Sequence, residues 1–125
     1  MWIDVCPVPK PRQTRSDVWK KRPAVMRYRQ FADELRLACL QQKFVPSGEL
    51  VIEFHIQMPK SWSKKKKLDM IGRYHQVKPD LDNMIKSCLD ALFSKSDRDD
   101  ACVHSIAAKK VWSIIGRVSL NNKWE

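Results

Sequence analysis

The sequence predicts a single small α+β domain in which a mixed or antiparallel sheet of about four strands packs with two main helices. The chain has 125 residues, within the usual size of one domain. Two segments repeat apolar residues every three or four positions, as amphipathic helices do, and another alternates apolar and polar residues, as strands do. The resulting order, strand–helix–strand–helix–strand–strand, is typical of an α+β domain with one sheet. We therefore treat residues 1–125 as one domain.

The first half of the chain contains the clearest helix and the clearest strand. Residues 1–8 are apolar and run into prolines, which predicts a brief strand at a sheet edge. Apolar residues recur at helical spacing over about 24–42, and Pro23 can occupy the first turn of that helix. Residues 50–58 alternate apolar and polar side chains and end at Pro59, which predicts a strand.

The second half has weaker patterns. Residues 60–78 are rich in lysine and have little periodicity, which predicts a long loop, and such loops are usually functional or mobile. A second amphipathic helix is predicted at about 80–93, followed by a polar turn at 94–100. Residues 102–112 and 113–121 are predicted to form two further strands, although their alternation is weak.

The charge of the chain indicates a polyanionic partner. Lysine and arginine total 24 against 14 acidic residues, a net charge of +10. Such an excess favours nucleic acid as the partner, with membrane surfaces and acidic proteins as alternatives. No apolar run approaches the about 18 residues of a membrane span, and the start of the chain lacks the pattern of a signal peptide. We therefore expect a cytoplasmic, nucleoid-associated protein without a membrane segment.

Two carboxylates stand at the start of the second predicted helix. Residues two apart on a regular helix point about 200° apart, so Asp80 and Asp82 could not share a site inside one. Their oxygens can converge if Asp80 precedes the helix while Asp82 lies in its first turn, and Pro79 favours that break. The alternative is that both residues only cap the helix and suit its dipole. For this motif alone, capping is the commoner explanation.

A second acidic cluster, Asp97 to Asp100, follows the same helix. Aspartate is common in turns, but a helix bracketed by carboxylates could bring three acidic groups together. Oxygen donors alone suit Mg²⁺ or Mn²⁺ rather than zinc. A passive binder of DNA would be repelled by such a cluster, so the combination favours an enzyme. Lys86 lies four residues after Asp82 and forms either an exposed ion pair or a cation for the scissile phosphate.

The ordered set of motifs resembles the RusA family of Holliday junction resolvases. The segments that carry the resemblance span most of the chain and are Pro7–Arg12, Met58–Lys64, Lys78–Asn83 with Lys86, Asp90–Leu92, Asp99–Ala101 and Lys109–Trp112. The resemblance implies a homodimeric, Mg²⁺-dependent endonuclease that nicks two symmetric strands of a four-way junction in DNA recombination and repair. It also suggests a phage or prophage origin.

The resemblance also implies which residues act. The family's catalytic, metal-binding carboxylates fall on Asp80, Asp82 and Asp100, and its lysine falls on Lys86. Asp99 competes with Asp100 because the preceding turn differs in length from some relatives. Asp90 matches as well, but its place in mid-helix favours a structural role.

The basic segments would contact the DNA backbone, so binding should weaken as salt rises. The predicted DNA-binding residues are Lys10, Arg12, Arg15, Lys64, Lys65, Lys66, Lys67, Arg73, Lys78 and Asn83. Trp62 could stack on an opened base, pack under its loop or lie in the dimer interface. His75 could approach the Asp80–Asp82 motif.

Two other functions compete with the resolvase. A basic nucleic-acid-binding protein whose aspartates only cap and turn would bind DNA without cutting it. A flap or branch nuclease would keep the metal site but cut forks or flaps as readily as four-way junctions.

Overall fold

The computed structural model describes residues 1–11 and 22–123, which form one mixed sheet and three helices. The strands are β1 (Trp2–Ile3), β2 (Glu49–Gln57), β3 (Ser105–Ser113) and β4 (Arg117–Asn122). The helices are α1 (Pro23–Gln41), α2 (Lys64–Met70) and α3 (Leu81–Phe93), and a 3₁₀ turn spans Asp100–Cys102. The predicted α+β domain with a four-stranded sheet is therefore confirmed.

The strands lie in the order β1-β4-β2-β3. Strands β2 and β3 are parallel, whereas β4 is antiparallel to both β2 and β1, so the sheet is mixed. The short β1 is at an edge, as its prolines predicted. Phe54 of β2 lies opposite Lys110 in β3 and Val118 in β4, which places these three side chains on the same face.

That face carries the hydrophobic core. Buried side chains of α1 and α3, such as Leu35 and Met84, form one cluster with Ile52, Phe54 and Leu120 of the sheet. Full burial of one such side chain contributes about 1.5–3 kcal/mol, which explains why these two helices are held firmly. The residues that alternate with them point to the opposite face, which lies outside this cluster.

The prediction of a loop over 60–78 is wrong for its central part, because Lys64–Met70 is a helix. The hydroxyl of Ser63 accepts a hydrogen bond from the backbone N–H of Lys66 at 3.1 Å and so caps the helix. Lysine is a good helix former, but α2 buries none of its residues. Because α2 has no buried face, its sequence lacks the apolar periodicity from which α1 and α3 were predicted.

The segment between β2 and β3 holds both α2 and α3. Because β2 and β3 are parallel neighbours, this segment must return along the sheet before β3 begins. The last two strands begin later than predicted from the sequence. Residues 100–102 form the 3₁₀ turn, β3 begins at Ser105, and β4 begins at Arg117. Within the described ranges, no helix is long and apolar enough to cross a membrane.

Candidate active site at the start of helix α3

Asp80 and Asp82 stand on either side of the point where α3 begins. Asp80 is the N-cap residue with extended backbone angles (φ −68°, ψ 144°), and Asp82 lies in the first turn. The break that the sequence required for convergence is therefore present. The Asp80 side chain makes no capping hydrogen bond and instead accepts one from Lys78 Nζ at 2.8 Å. Capping by its side chain thus does not account for Asp80.

The charges around these carboxylates keep Asp80 ionised. The hydrogen bond from Lys78, together with the positive charges of Lys78 and Lys110, lowers the pKa of Asp80. The pKa of Lys78 is raised, first by Asp80 and more weakly by the charge of Asp82. One exposed ammonium therefore forms an ion pair with Asp80, and the charge of Asp82 adds a weaker electrostatic contribution.

Lys110 holds the chain that leads into this site. Its Nζ donates hydrogen bonds to the carbonyl oxygens of Val77 at 2.7 Å and Pro79 at 2.6 Å. Its own carbonyl accepts a hydrogen bond from the backbone N–H of His75 at 2.9 Å. Strand β3 therefore fixes the segment immediately before Asp80 through both the main chain and the side chain of one residue.

Sequence reasoning did not single out Lys110 as a site residue. It is one of two adjacent lysines in a weakly alternating segment, and only the register shows which of them faces the helices. Lys110 lies opposite the buried Phe54, whereas Lys109 lies opposite Glu53 on the other face.

His75 is buried behind the same segment. Its ring lies 4.3 Å from that of Trp112, which lies 4.8 Å from Trp62, and Lys66 Nζ is 4.3 Å from the Trp62 ring. Burial, and then the charge of Lys110, lowers the pKa of His75. Of the alternatives for Trp62, packing within the chain is the one that the structure shows, because its ring lies against Trp112. His75 does approach the motif, since it lines one surface groove with Asp80 and Lys110.

Two adjacent acidic residues after α3 have different roles, because Asp99 caps the 3₁₀ turn and Asp100 does not. Asp99 accepts a hydrogen bond from the backbone N–H of Ala101 at 3.0 Å and caps the 3₁₀ turn, which lowers its pKa. The pKa of Asp100 is raised, first by its hydrogen bond with Asp99 and also by the charges of Asp99 and Asp90. A local structural role therefore falls on Asp99, which supports Asp100 as the family's third carboxylate; that assignment stays a prediction.

The structure places Asp80 and Asp82 at the start of α3 and Asp100 beside Asp90 of the same helix. The eight residues from Asp82 to Asp90 correspond to a helical rise of about 12 Å. Across residues 1–11 and 22–123, no group of three or more histidine, cysteine or acidic side chains could hold a metal ion. Mg²⁺ is often held by only one or two carboxylates, with waters and substrate phosphates completing its shell. The exposed oxygens of Asp80 and Asp82 fit that donor set.

Several of the predicted DNA-contacting residues have partners within the protein. Lys10 forms an ion pair with Asp90, which raises the pKa of Lys10, and its backbone N–H donates to the carbonyl of Asn83. Asp90 therefore has a structural partner. Arg73 Nε donates to the carbonyl of Asp69 at 2.6 Å.

Among the remaining predicted cations, Lys86 can be located in the structure. Lys86 is exposed on α3, and no ion pair within 4 Å joins it to Asp82 in the described part of the chain, so the proposed ion-pair alternative is not formed there. Arg12 and Arg15 lie outside the described residues.

A small basic domain that sets exposed carboxylates among lysines has the features of a protein that acts on a polyanion. Residues 4–121 match the family model described as Endodeoxyribonuclease RusA. The chain therefore belongs to the RusA family of endodeoxyribonucleases, and membership implies an endonuclease that resolves Holliday junctions. Neither the curated proteins nor the solved structures contain a significant match.

Proposed function

We propose that this protein is a Mg²⁺-dependent endodeoxyribonuclease that nicks two symmetric strands of a four-way DNA junction. The observation that carries the proposal is the exposed Asp80–Asp82 pair at the start of α3, in a chain that matches the RusA family over residues 4–121. The net charge of +10 supports a DNA substrate.

Asp80 and Asp82 would hold the metal, with Asp100 as the third carboxylate that the family resemblance implies. A bound Mg²⁺, or Mn²⁺ in its place, would activate a water molecule and stabilise the leaving oxygen of the phosphodiester. Hydrolysis of this kind would leave a 5′-phosphate and a 3′-hydroxyl.

The chain's own cations would position the DNA. Lys78 is 84% exposed at its side chain and forms an ion pair with Asp80, where it can contact the phosphate next to the cleaved bond. Lys86 lies one helical turn beyond Asp82 and would stabilise the charge that develops on the scissile phosphate. These lysines also reduce the repulsion between the carboxylates and the DNA backbone.

The enzyme would act as a homodimer, because two equivalent cuts in a two-fold substrate match an isologous two-fold dimer. The sheet face opposite α1 and α3 is the surface that we propose for this contact. It carries Glu53 within 3.8 Å of Lys109 Nζ, and Trp2, which is 45% exposed. A surface with an exposed aromatic ring and both signs of charge can match a second copy of itself.

Cleavage of labelled DNA tests the function. Wild type, Asp82→Asn and the control Glu34→Gln would be incubated with a four-way junction, a linear duplex and a flap, each with Mg²⁺ and with EDTA. Glu34 is exposed on α1, where it accepts a hydrogen bond from Gln30, so its substitution removes a charge away from α3. We expect paired cuts on opposite junction strands by wild type and Glu34→Gln, and none by Asp82→Asn or in EDTA.

The competing functions give different outcomes. Cuts confined to flaps would keep the metal site and replace the substrate. Tight binding without cleavage by wild type would indicate a DNA-binding protein without nuclease activity. The aspartates would then serve only as caps and turn residues.

A further inference from the structure

Lys110 is an internal lysine whose ammonium is occupied by the main chain rather than by a carboxylate. It leaves β3 on the core-facing side of the sheet, opposite Phe54, and is partly buried. Its two acceptors are the carbonyls of Val77 and Pro79, at 2.7 and 2.6 Å. An ammonium has three donors, so two of the three are used by these carbonyls.

Those two carbonyls flank the residue that pairs with Asp80. Val77 and Pro79 stand on either side of Lys78, and Asp80 follows directly. Because the ammonium binds both carbonyls at once, it restricts the main chain at the two points nearest to the Lys78–Asp80 pair. Residues 72–75 are joined to β3 by main-chain hydrogen bonds, whereas residues 76–79 have no regular structure.

A second set of contacts holds the other side of the same segment. The carbonyl of Lys110 accepts the His75 N–H, and the His75 ring packs on Trp112, two residues further along β3. His75 is only 3% exposed, so it anchors the segment in the core. The ammonium of Lys110 then controls the last few residues between this anchor and α3.

We propose that Lys110 is a positioning residue for the metal-binding pair, because its ammonium fixes the backbone that presents Asp80 beside Asp82. This inference rests on the proposed function, in which Asp80 and Asp82 hold the metal. Lys110 acts through the carbonyls and needs no contact with DNA. Groups that orient a ligand from outside the coordination shell are typically worth about 10–100-fold in metal affinity or activity.

The matched variants are Lys110→Met, Lys110→Arg and Lys109→Met. Methionine keeps the length of the side chain and removes its donors, whereas arginine keeps both charge and donors. Lys109 is the neighbouring lysine, but it points to the other face and is 53% exposed. Lys109→Met therefore removes one positive charge from the same strand without touching the carbonyls. Because Lys109 lies on the face proposed for the dimer contact, all variants are compared at concentrations at which analytical ultracentrifugation shows the same oligomeric state as wild type.

Three measurements separate positioning from DNA binding. The Mn²⁺ dissociation constant is measured by electron paramagnetic resonance, junction affinity is measured in EDTA, and kcat and KM are measured for junction cleavage. We expect Lys110→Met to weaken Mn²⁺ binding and lower kcat by about 10–100-fold. Its junction affinity should stay equal to that of Lys109→Met, and Lys110→Arg should recover most of the loss.

The contrary outcomes are equally distinct. Equal Mn²⁺ affinities for Lys110→Met and Lys109→Met, with wild type binding Mn²⁺ through Asp82, would overturn the inference and leave the proposed function intact. A fall in junction affinity as large as the fall in kcat would make Lys110 a phosphate contact instead. If wild type neither binds Mn²⁺ nor cuts DNA, the proposed function fails first. Should Lys110→Met not fold, Lys110→Gln is judged by the same criteria.

Discussion

Helix α2 contains four consecutive lysines, and we expect only two of them to contact DNA. Successive residues of a helix point about 100° apart, so Lys64, Lys65, Lys66 and Lys67 cannot all face one DNA backbone. Lys67 is half-buried, and Lys66 lies over the Trp62 ring, which marks the side turned to the protein. Lys64 and Lys65 are exposed and point away from that side.

The magnitude follows from counterion release. Each neutralised phosphate contributes about 0.9 to the slope of log affinity against log salt for duplex DNA. If Lys64 and Lys65 each contact one phosphate, the double variant Lys64→Gln/Lys65→Gln should lower the slope by about 1.8. Between 50 and 200 mM salt, wild-type affinity should then fall about 12-fold more than that of the variant.

The assay is junction binding in EDTA at four or more salt concentrations. The control is Lys66→Gln/Lys67→Gln, which removes the same charge from the same helix, and we expect its slope to stay close to that of wild type. Equal slope changes for the two double variants would refute the division of α2 into outer and inner lysines. No change in either would remove α2 from the DNA contact altogether.

Four further predictions concern other parts of the molecule. Burial lowers the pKa of His75, so below about pH 6.5 the unfolded chain binds a proton that the folded chain does not. The free energy of unfolding should therefore fall as the pH drops. His75→Gln should flatten that pH dependence in urea titrations, and identical profiles for wild type and variant would contradict the prediction. Ser87 is fully buried and its hydroxyl has no hydrogen-bond partner in the described structure, so Ser87→Ala should raise the free energy of unfolding by about 1 kcal/mol, whereas a decrease would mean that the hydroxyl is satisfied. Asp100→Asn should lower cleavage by at least about 10–100-fold. Asp99→Asn should keep cleavage and cost about 0.5–2 kcal/mol of stability as a lost cap, and the reverse pattern would make Asp99 the ligand. Glu53→Lys should raise the dimer dissociation constant in analytical ultracentrifugation, and an unchanged constant would place the interface elsewhere.

The parts of the fold that sequence predicted are those that bury one face. Helices α1 and α3 and strand β2 each place apolar residues at the period of their structure, because that period decides which side chains reach the core. Helix α2 buries none of its residues and so carries no such signal. Its cap, Ser63, was the only local indication of where it begins.

The candidate site shows the same division. Pro79 next to Asp80 was enough to predict that the helix begins between the two carboxylates, since that is a local property of the chain. The hydrogen bonds from Lys110 to the carbonyls of Val77 and Pro79 depend on the register of β3 against β2, which is a long-range property. The same holds for the position of Asp100 beside Asp90, because it depends on how the turn after α3 folds back towards that helix.

The parallel pairing of β2 with β3 also sets the order in which the protein can become active during synthesis. The carboxylates and the lysine helix are all translated before β3, but the residue that fixes their connecting segment belongs to β3. Closing so long a loop must precede any gain from the strand contacts, so this pairing forms late. A chain still emerging from the ribosome would therefore carry basic segments that can bind nucleic acid before the residue that positions the cutting site is in place.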